Sequence, residues 1–187
     1  MTLTNLKPFP LLGGYNAEEL WPLVNLILPS WMLLVFLPKW KYTPTLSLIG
    51  PILHAILYTL GVISTIVYAD ENSPEIDFSS LEGIVELFKE PSGVFIGWIH
   101  YCVYDALVGR YITLDSVERG ASTLVHVTVI IPTLFLSLMF GPMGWLLYIS
   151  IVRTFVLKKN DEKKGKVMYN YYVQLIWLLY EHLVLCP

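Results

Sequence analysis

Charge is scarce in this chain. Charged side chains make up 14% of its 187 residues, against roughly 25% in ordinary soluble domains. With 55% hydrophobic residues and a mean hydropathy of +0.59, that shortage points to an integral membrane protein. The net charge of -3, and the lack of any basic run interleaved with aromatics, exclude a nucleic-acid partner. Cysteine is nearly absent: Cys102 and Cys186 are too few for a disulfide framework. Cys102, inside an apolar stretch, reads as a small packing residue. There is no glycine-rich nucleotide loop, no His-Glu-x-x-His and no Gly-x-Ser-x-Gly elbow. Internal repeats and low-complexity tracts are missing too. Residues 1–16 lack the Arg- and Ser-rich pattern of an organellar transit peptide, and the basic start and apolar core of a secretory signal.

Long apolar runs are what the chain has instead. The first covers residues 20–38, between Glu18-Glu19 and Lys39-Trp40-Lys41. Pro22 and Pro29 are tolerable there if neighbouring helices satisfy the freed backbone groups. Trp21, Trp31 and Trp40 suit the membrane interface, and Asn25 could hydrogen-bond across a helix contact. The second run, residues 46–69, is ample for ~30 Å of hydrocarbon. Its Gly50, Ala55, Gly61 and Ser64 would admit a close neighbour. An acidic, turn-rich loop follows from Asp70 to Glu75. Ser79 or Ser80 then caps a short helix, with Glu82 three residues after Ser79. Leu81, Ile84, Val85 and Phe88 share one face of it, so it should lie along the membrane surface until Pro91 stops it.

Residues 92–112 form the third span, and a charged connector is expected over residues 113–120. Residues 122–155 are then apolar for longer than one helix requires, interrupted by Pro132, Gly141, Pro142 and Gly144. The favoured reading is one span over residues 131–153, approached by a shorter helical piece carrying His126. The alternative is two crossings separated by a turn at Gly141-Pro142. Charge placement bears on the choice. Lys39, Lys41, Arg110 and Arg119 agree on one side of the membrane, whereas Lys158, Lys159, Lys163, Lys164 and Lys166 fall opposite unless that stretch crosses twice. The lysine cluster itself reads as a solvated loop flanking the membrane. Residues 169–186 are apolar and rich in tyrosine, fit for a membrane interface or for docking onto another protein.

The third span holds the chemistry-bearing candidates. A carboxylate in hydrocarbon costs roughly 2.5–3.5 kcal/mol on insertion scales, yet this segment carries His100, Asp105 and Arg110. At 3.6 residues per turn, Trp98, Tyr101, Asp105 and Gly109 share a face while His100, Tyr104 and Leu107 share another. Asp105 therefore pairs in register with Tyr101 and not with His100. Arg110 could lean back towards Asp105 or snorkel to the interface. A metal site built from His54, His100 and His126 is conceivable, but no two of them have a ligand-like spacing.

The motifs Gly97-Trp98-Ile99-His100-Tyr101, Asp105, Gly109-Arg110, Asp115 and Glu118-Arg119-Gly120 resemble those of the abscisic-acid-deficient-four family. So do Ile131-Pro132, Phe135, Leu138-Met139-Phe140-Gly141-Pro142-Met143-Gly144, Leu146-Leu147-Tyr148 and Arg153. The likeness spans roughly residues 20–155. Tyr104 stands where a Phe usually precedes the Asp, and the acidic insertion around residues 70–90 and the aromatic tail beyond 167 are additions. The resemblance implies a small polytopic protein of about four helices. Plant members are plastid proteins required for converting violaxanthin to neoxanthin.

The expected fold is thus all-α: a transmembrane bundle of about four spans, a surface amphipathic helix and a C-terminal aromatic helix. Residues 1–157 would form the membrane domain, and residues 158–187 a basic loop and tail. Two functions compete. One is an isomerase, needing no redox or metal cofactor, that acts on a carotenoid or other isoprenoid dissolved in a plastid thylakoid or envelope membrane. By that resemblance, His100 and Asp105 would serve as acid and base, while Tyr101 could orient the carboxylate and Arg110 could stabilise charge or anchor the helix. The other is a non-catalytic accessory subunit of a large respiratory or photosynthetic complex, with the mitochondrial inner membrane as the alternative setting. Membrane lipids are partners in both.

Overall fold

The computed structural model describes residues 6–69 and 77–157, and among them there is no strand, only helices and short turns. The basic loop and aromatic tail of residues 158–187 lie outside the described residues, as do residues 70–76 of the acidic loop.

Helix α1 (Ala17–Phe36) opens on a capping box. Asn16 Oδ1 accepts from the amides of Glu18 and Glu19 at 3.0 and 3.1 Å, and Glu19 returns a carboxylate oxygen to the Asn16 amide at 2.9 Å. Within α1, Trp21–Ile27 tightens to a 3₁₀ helix with Pro22 in its first turn. Seven residues is long for that form, and such stretches often mark functional or strained sites. Asn25, expected to bond across helices, donates instead to the Pro22 carbonyl of its own helix at 3.3 Å.

Helix α2 (Thr43–Val67) packs on α1 where glycine permits it. A Cβ on Gly50 would meet Ser30 Oγ at 2.5 Å, and that hydroxyl accepts the Gly50 amide at 3.2 Å. Helix α3 (Leu81–Lys89) is capped by Ser80, whose Oγ accepts the Gly83 amide at 3.1 Å. Pro91 ends it and begins α4 (Pro91–Glu118) at a position where a missing N–H costs nothing. Helix α4 has 28 residues, about 42 Å at 1.5 Å per residue. It absorbs most of the expected connector, leaving only a turn around Gly120, whose φ is 78°. The reason is burial: Thr113, Asp115 and Ser116 are enclosed by other helices and gain from staying helical.

The long apolar stretch after Ser122 divides, and the expected single span over 131–153 is replaced by a helical hairpin. Helix α5 (Thr123–Phe140) contains a π turn at His126–Ile130, just before Pro132. A proline cannot donate to the carbonyl four residues back and its ring crowds it, so the backbone widens there. Gly141 then adopts φ 45°, ψ −97°, a left-handed conformation that only glycine holds cheaply. Helix α6 (Pro142–Val156) folds back from it. A Cβ on Gly144 would lie 2.3 Å from the Ser137 amide nitrogen, so the two backbones touch.

Three helices, α1, α2 and α5, are long and apolar enough to cross a membrane; α6 is a shorter apolar helix. Helix α4 runs along all of them. Its first half joins Phe9, Ala17 and Leu20 in one core through Phe95 and Ile99. Its second half joins Trp31, Leu34, Leu134, Tyr148 and Val152 in another through Ala106 and Ile112.

Among the described residues, the hairpin also sorts charge between the two ends of the bundle. Arg110 Nε and Nη2 donate to the Pro44 carbonyl at 3.1 and 2.8 Å, and His126 Nε2 lies 2.9 Å from the Val35 carbonyl. Those bonds gather the α1–α2 loop, the end of α4 and the start of α5 at one end, to which α6 returns with Arg153 and Leu157. Lys39, Lys41, Arg110, Arg119 and Arg153 therefore stand together, against Asp115 and Glu118. Glu18, Glu19, Asp77, Glu82, Glu86 and Glu90 stand at the other end with Lys7 and Lys89. Cations concentrated at one end match the positive-inside rule.

Candidate functional site

Two cavities flank α4, and the candidate residues divide between them. The first has a volume of ≈ 410 Å³ and lies between α1, α4 and the hairpin turn. Its walls include Trp31, Trp98, Leu138 and Phe140, and its polar groups come from Asn25, Tyr101, Cys102 and Asp105. The Asp105 carboxylate has no hydrogen-bond or ion-pair partner among the described residues. The irregular elements shape this space. The 3₁₀ stretch of α1 brings Asn25 to it, and the hairpin turn brings Gly141, where a Cβ would sit 2.8 Å from Asp105 Oδ1. Only a residue without a side chain lets the chain reverse there beside the carboxylate.

Tyr101 shares the cavity with Asp105, as the helical register requires, but no hydrogen bond joins them. His100 looks away. It lines the second cavity, ≈ 360 Å³ between α2, α3 and α4, with ring centroids of Tyr58 at 5.3 Å and Tyr104 at 4.8 Å. Tyr101 borders both cavities. Arg110 belongs to neither, since its guanidinium holds the Pro44 carbonyl. The other histidines are committed to backbone. His54 is buried with Nδ1 2.9 Å from the Gly50 carbonyl and Nε2 3.2 Å from that of Val24. His126 faces Val35. The trio His54, His100 and His126 is not brought together, and no group of three His, Cys, Asp or Glu among the described residues could hold a metal ion.

A second acidic centre emerges near the cationic end. Asp115, 3% exposed, receives Tyr148 OH at 2.7 Å, Arg119 Nε at 2.8 Å and Arg153 Nε at 3.1 Å, all on Oδ2. From the sequence, only the i,i+4 spacing of Asp115 and Arg119 hints at it. Tyr148 and Arg153 lie 33 and 38 residues further on, and the hairpin alone brings them in. This centre ties α6 to α4 and commits one carboxylate oxygen to three donors. Asp105, ten residues earlier on the same helix, is the one open to a ligand.

The fold is a helical bundle with three helices apolar enough to cross a membrane, and its site is a largely apolar, partly open cavity that carries a few polar groups. The sequence pattern of the ABA4-like (ABA DEFICIENT 4-like) family matches residues 20–148, and the chain belongs to that family. The matched segment contains Asn25, Tyr101, Asp105, Asp115, Gly141 and Tyr148. No curated protein and no solved structure matches the chain.

Proposed function

We propose that this protein binds and isomerises a carotenoid or related isoprenoid within a membrane, with Asp105 as the proton-transferring group. One observation carries the reading: a carboxylate without a partner among the described residues borders an aromatic-walled cavity on the flank of α4. Intramembrane carboxylates of that kind mark substrate or proton pathways. Trp31 and Trp98 offer flat apolar faces to a polyene or its end ring.

The conversion of an epoxy-carotenoid of the violaxanthin type needs an acid and a base. The epoxide C–O bond breaks and its oxygen gains a proton, while a proton leaves a carbon and its electron pair enters a new C=C bond. The formula does not change, so no oxidant or reductant is consumed. Asp105 takes the carbon-bound proton. Tyr101, which borders the same cavity, donates to the opening oxygen; His100 faces the other cavity and takes no part. A plastid membrane, thylakoid or envelope, is the setting that substrate implies.

The test is violaxanthin conversion by the purified chain in lipid nanodiscs. Asp105→Asn should lower product formation by at least ~100-fold, the lower range for losing a general base. Unchanged conversion in that variant overturns the assignment. No conversion by the wild type, with migration only in a large complex on native gels, favours an accessory subunit instead.

A further inference from the structure

The second cavity has its own recognition chemistry. It extends from Phe78, Leu87 and Phe88 of the α3 region to His100 and Tyr101 of α4. Gly93 to Tyr101 covers about 12 Å along the helix at 1.5 Å per residue, so the cavity reaches well below α3. Its lining is overwhelmingly apolar, and α3 forms its roof. Glycines set that roof: a Cβ on Gly93 would lie 2.0 Å from the Leu87 carbonyl oxygen, and one on Gly97 would lie 2.7 Å from the Phe88 ring. Leu81, Val85 and Phe88 of α3 are exposed, as is Phe78 before it, which suits a helix half-sunk in the membrane surface.

At the end away from α3 stands the His100 imidazole, itself exposed, packed against Tyr58 and Tyr104 and without a hydrogen-bond partner among the described residues. A neutral imidazole offers one N–H donor and one acceptor. Around the roof stand Asp77, Glu82, Glu86 and Glu90, with Lys89 already paired to Glu86. That acidic rim disfavours fatty-acid carboxylates and lipid phosphates. The chemistry left is that of an uncharged lipid with a planar ring and an oxygen able to accept from imidazole.

We propose that the cavity between α2, α3 and α4 is a second ligand site, separate from the Asp105 cavity, for a neutral ring-headed amphiphile of the prenylated-quinone class. The ring lies among Tyr58, Phe88 and Ile66, a ring oxygen accepts from His100, and the tail leaves beneath α3 into the leaflet. Tyr101 borders both cavities, but the proposal does not depend on the isomerase reading, because its ring contacts and hydrogen bond use neither Asp105 nor Tyr101.

The test uses the full chain in phosphatidylcholine nanodiscs, titrated with decyl-benzoquinone and followed by calorimetry. Saturable binding is expected. His100→Leu keeps the bulk and removes the hydrogen bond, weakening affinity by ~3–10-fold. Val62→Trp fills the cavity and abolishes saturable binding; Asp105→Asn leaves it unchanged. Oleate, of similar apolar size and negative charge, should bind at least ~10-fold more weakly. No saturable binding by the wild type overturns the proposal. Equal affinity in His100→Leu and Val62→Trp, loss of binding in Asp105→Asn, or equal affinity for oleate would each do the same.

Discussion

Asp105 and Asp115 stand ten residues apart on α4 and have opposite fates. Asp115 is enclosed, with a tyrosine and two arginines converging on one oxygen. Asp105 borders a cavity and has no such partner among the described residues. Burying a carboxylate is costly unless donors replace water, and α6 supplies them at Asp115 through Tyr148 and Arg153. At Asp105 the hairpin offers only the bare Cα of Gly141. The same residue type is thus a structural joint in one place and an unpartnered carboxylate beside a cavity in the other. The difference lies in what the returning helix brings alongside.

Removing the joint should do the most damage. Asp115→Ala leaves the buried Tyr148 hydroxyl without its acceptor and breaks the ion pairs to Arg119 and Arg153, and breaking a buried pair in this way costs about 3–5 kcal/mol. Thermal or detergent unfolding followed by helical signal should show it, and Asp105→Asn should move the same transition by less than ~0.5 kcal/mol. If both variants lose similar stability, the contrast between the carboxylates is gone.

Gly144→Ala probes the hairpin that creates the contrast. Its Cβ would overlap the Ser137 backbone, and neither helix can yield without moving, so a loss of about 1–3 kcal/mol is expected. Because α6 carries Tyr148 and Arg153, this variant should also loosen the Asp115 joint. Combined with Asp115→Ala, it should cost less than the two losses added. Full additivity would mean that the hairpin and the joint are independent.

The smallest effect is expected at a third carboxylate, outside the membrane. Asp77 accepts from the Ser79 amide at 2.7 Å and from the Ser79 and Ser80 hydroxyls at 2.6 and 2.5 Å. The hydroxyl of Ser79 and then that of Ser80 lower its pKa from 3.8 to about 2. A depressed value means the folded form favours the charged carboxylate. Its contribution is present above pH 4 and fades as the pH falls towards 2. Acid titration of the wild type should loosen the start of α3 only in that window, and Asp77→Asn should remove the dependence. Amide exchange at Gly83 and Ile84 reads it directly.

Much of this arrangement is legible in the residues. The apolar runs declare the helices that could cross a membrane, because a chain in lipid has few other ways to satisfy its backbone. The cap at Ser80 and the stop at Pro91 bound α3. The 3.6-residue period separates His100 from Asp105, and the two line different cavities. Gly141-Pro142 is visible as an interruption, but whether a helix bends or reverses there depends on φ at one glycine and on what Gly144 can touch. That is why a continuous span was the natural expectation. The connector is helical for a related reason. Asp115 and Ser116 look like surface residues until partners from far along the chain bury them.

Composition and periodicity are local properties, and they suffice for the class of fold, the helical register of α4 and the residues able to do chemistry. Which of those residues are spent depends on how the helices pack. Arg110 is committed to Pro44, His54 and His126 to carbonyls, and Asp115 to three donors; Asp105 and His100 open into separate cavities. The physical reason is that a polar group's state depends on its partners. Here those partners come from segments tens of residues away, delivered by a reversal at a single glycine.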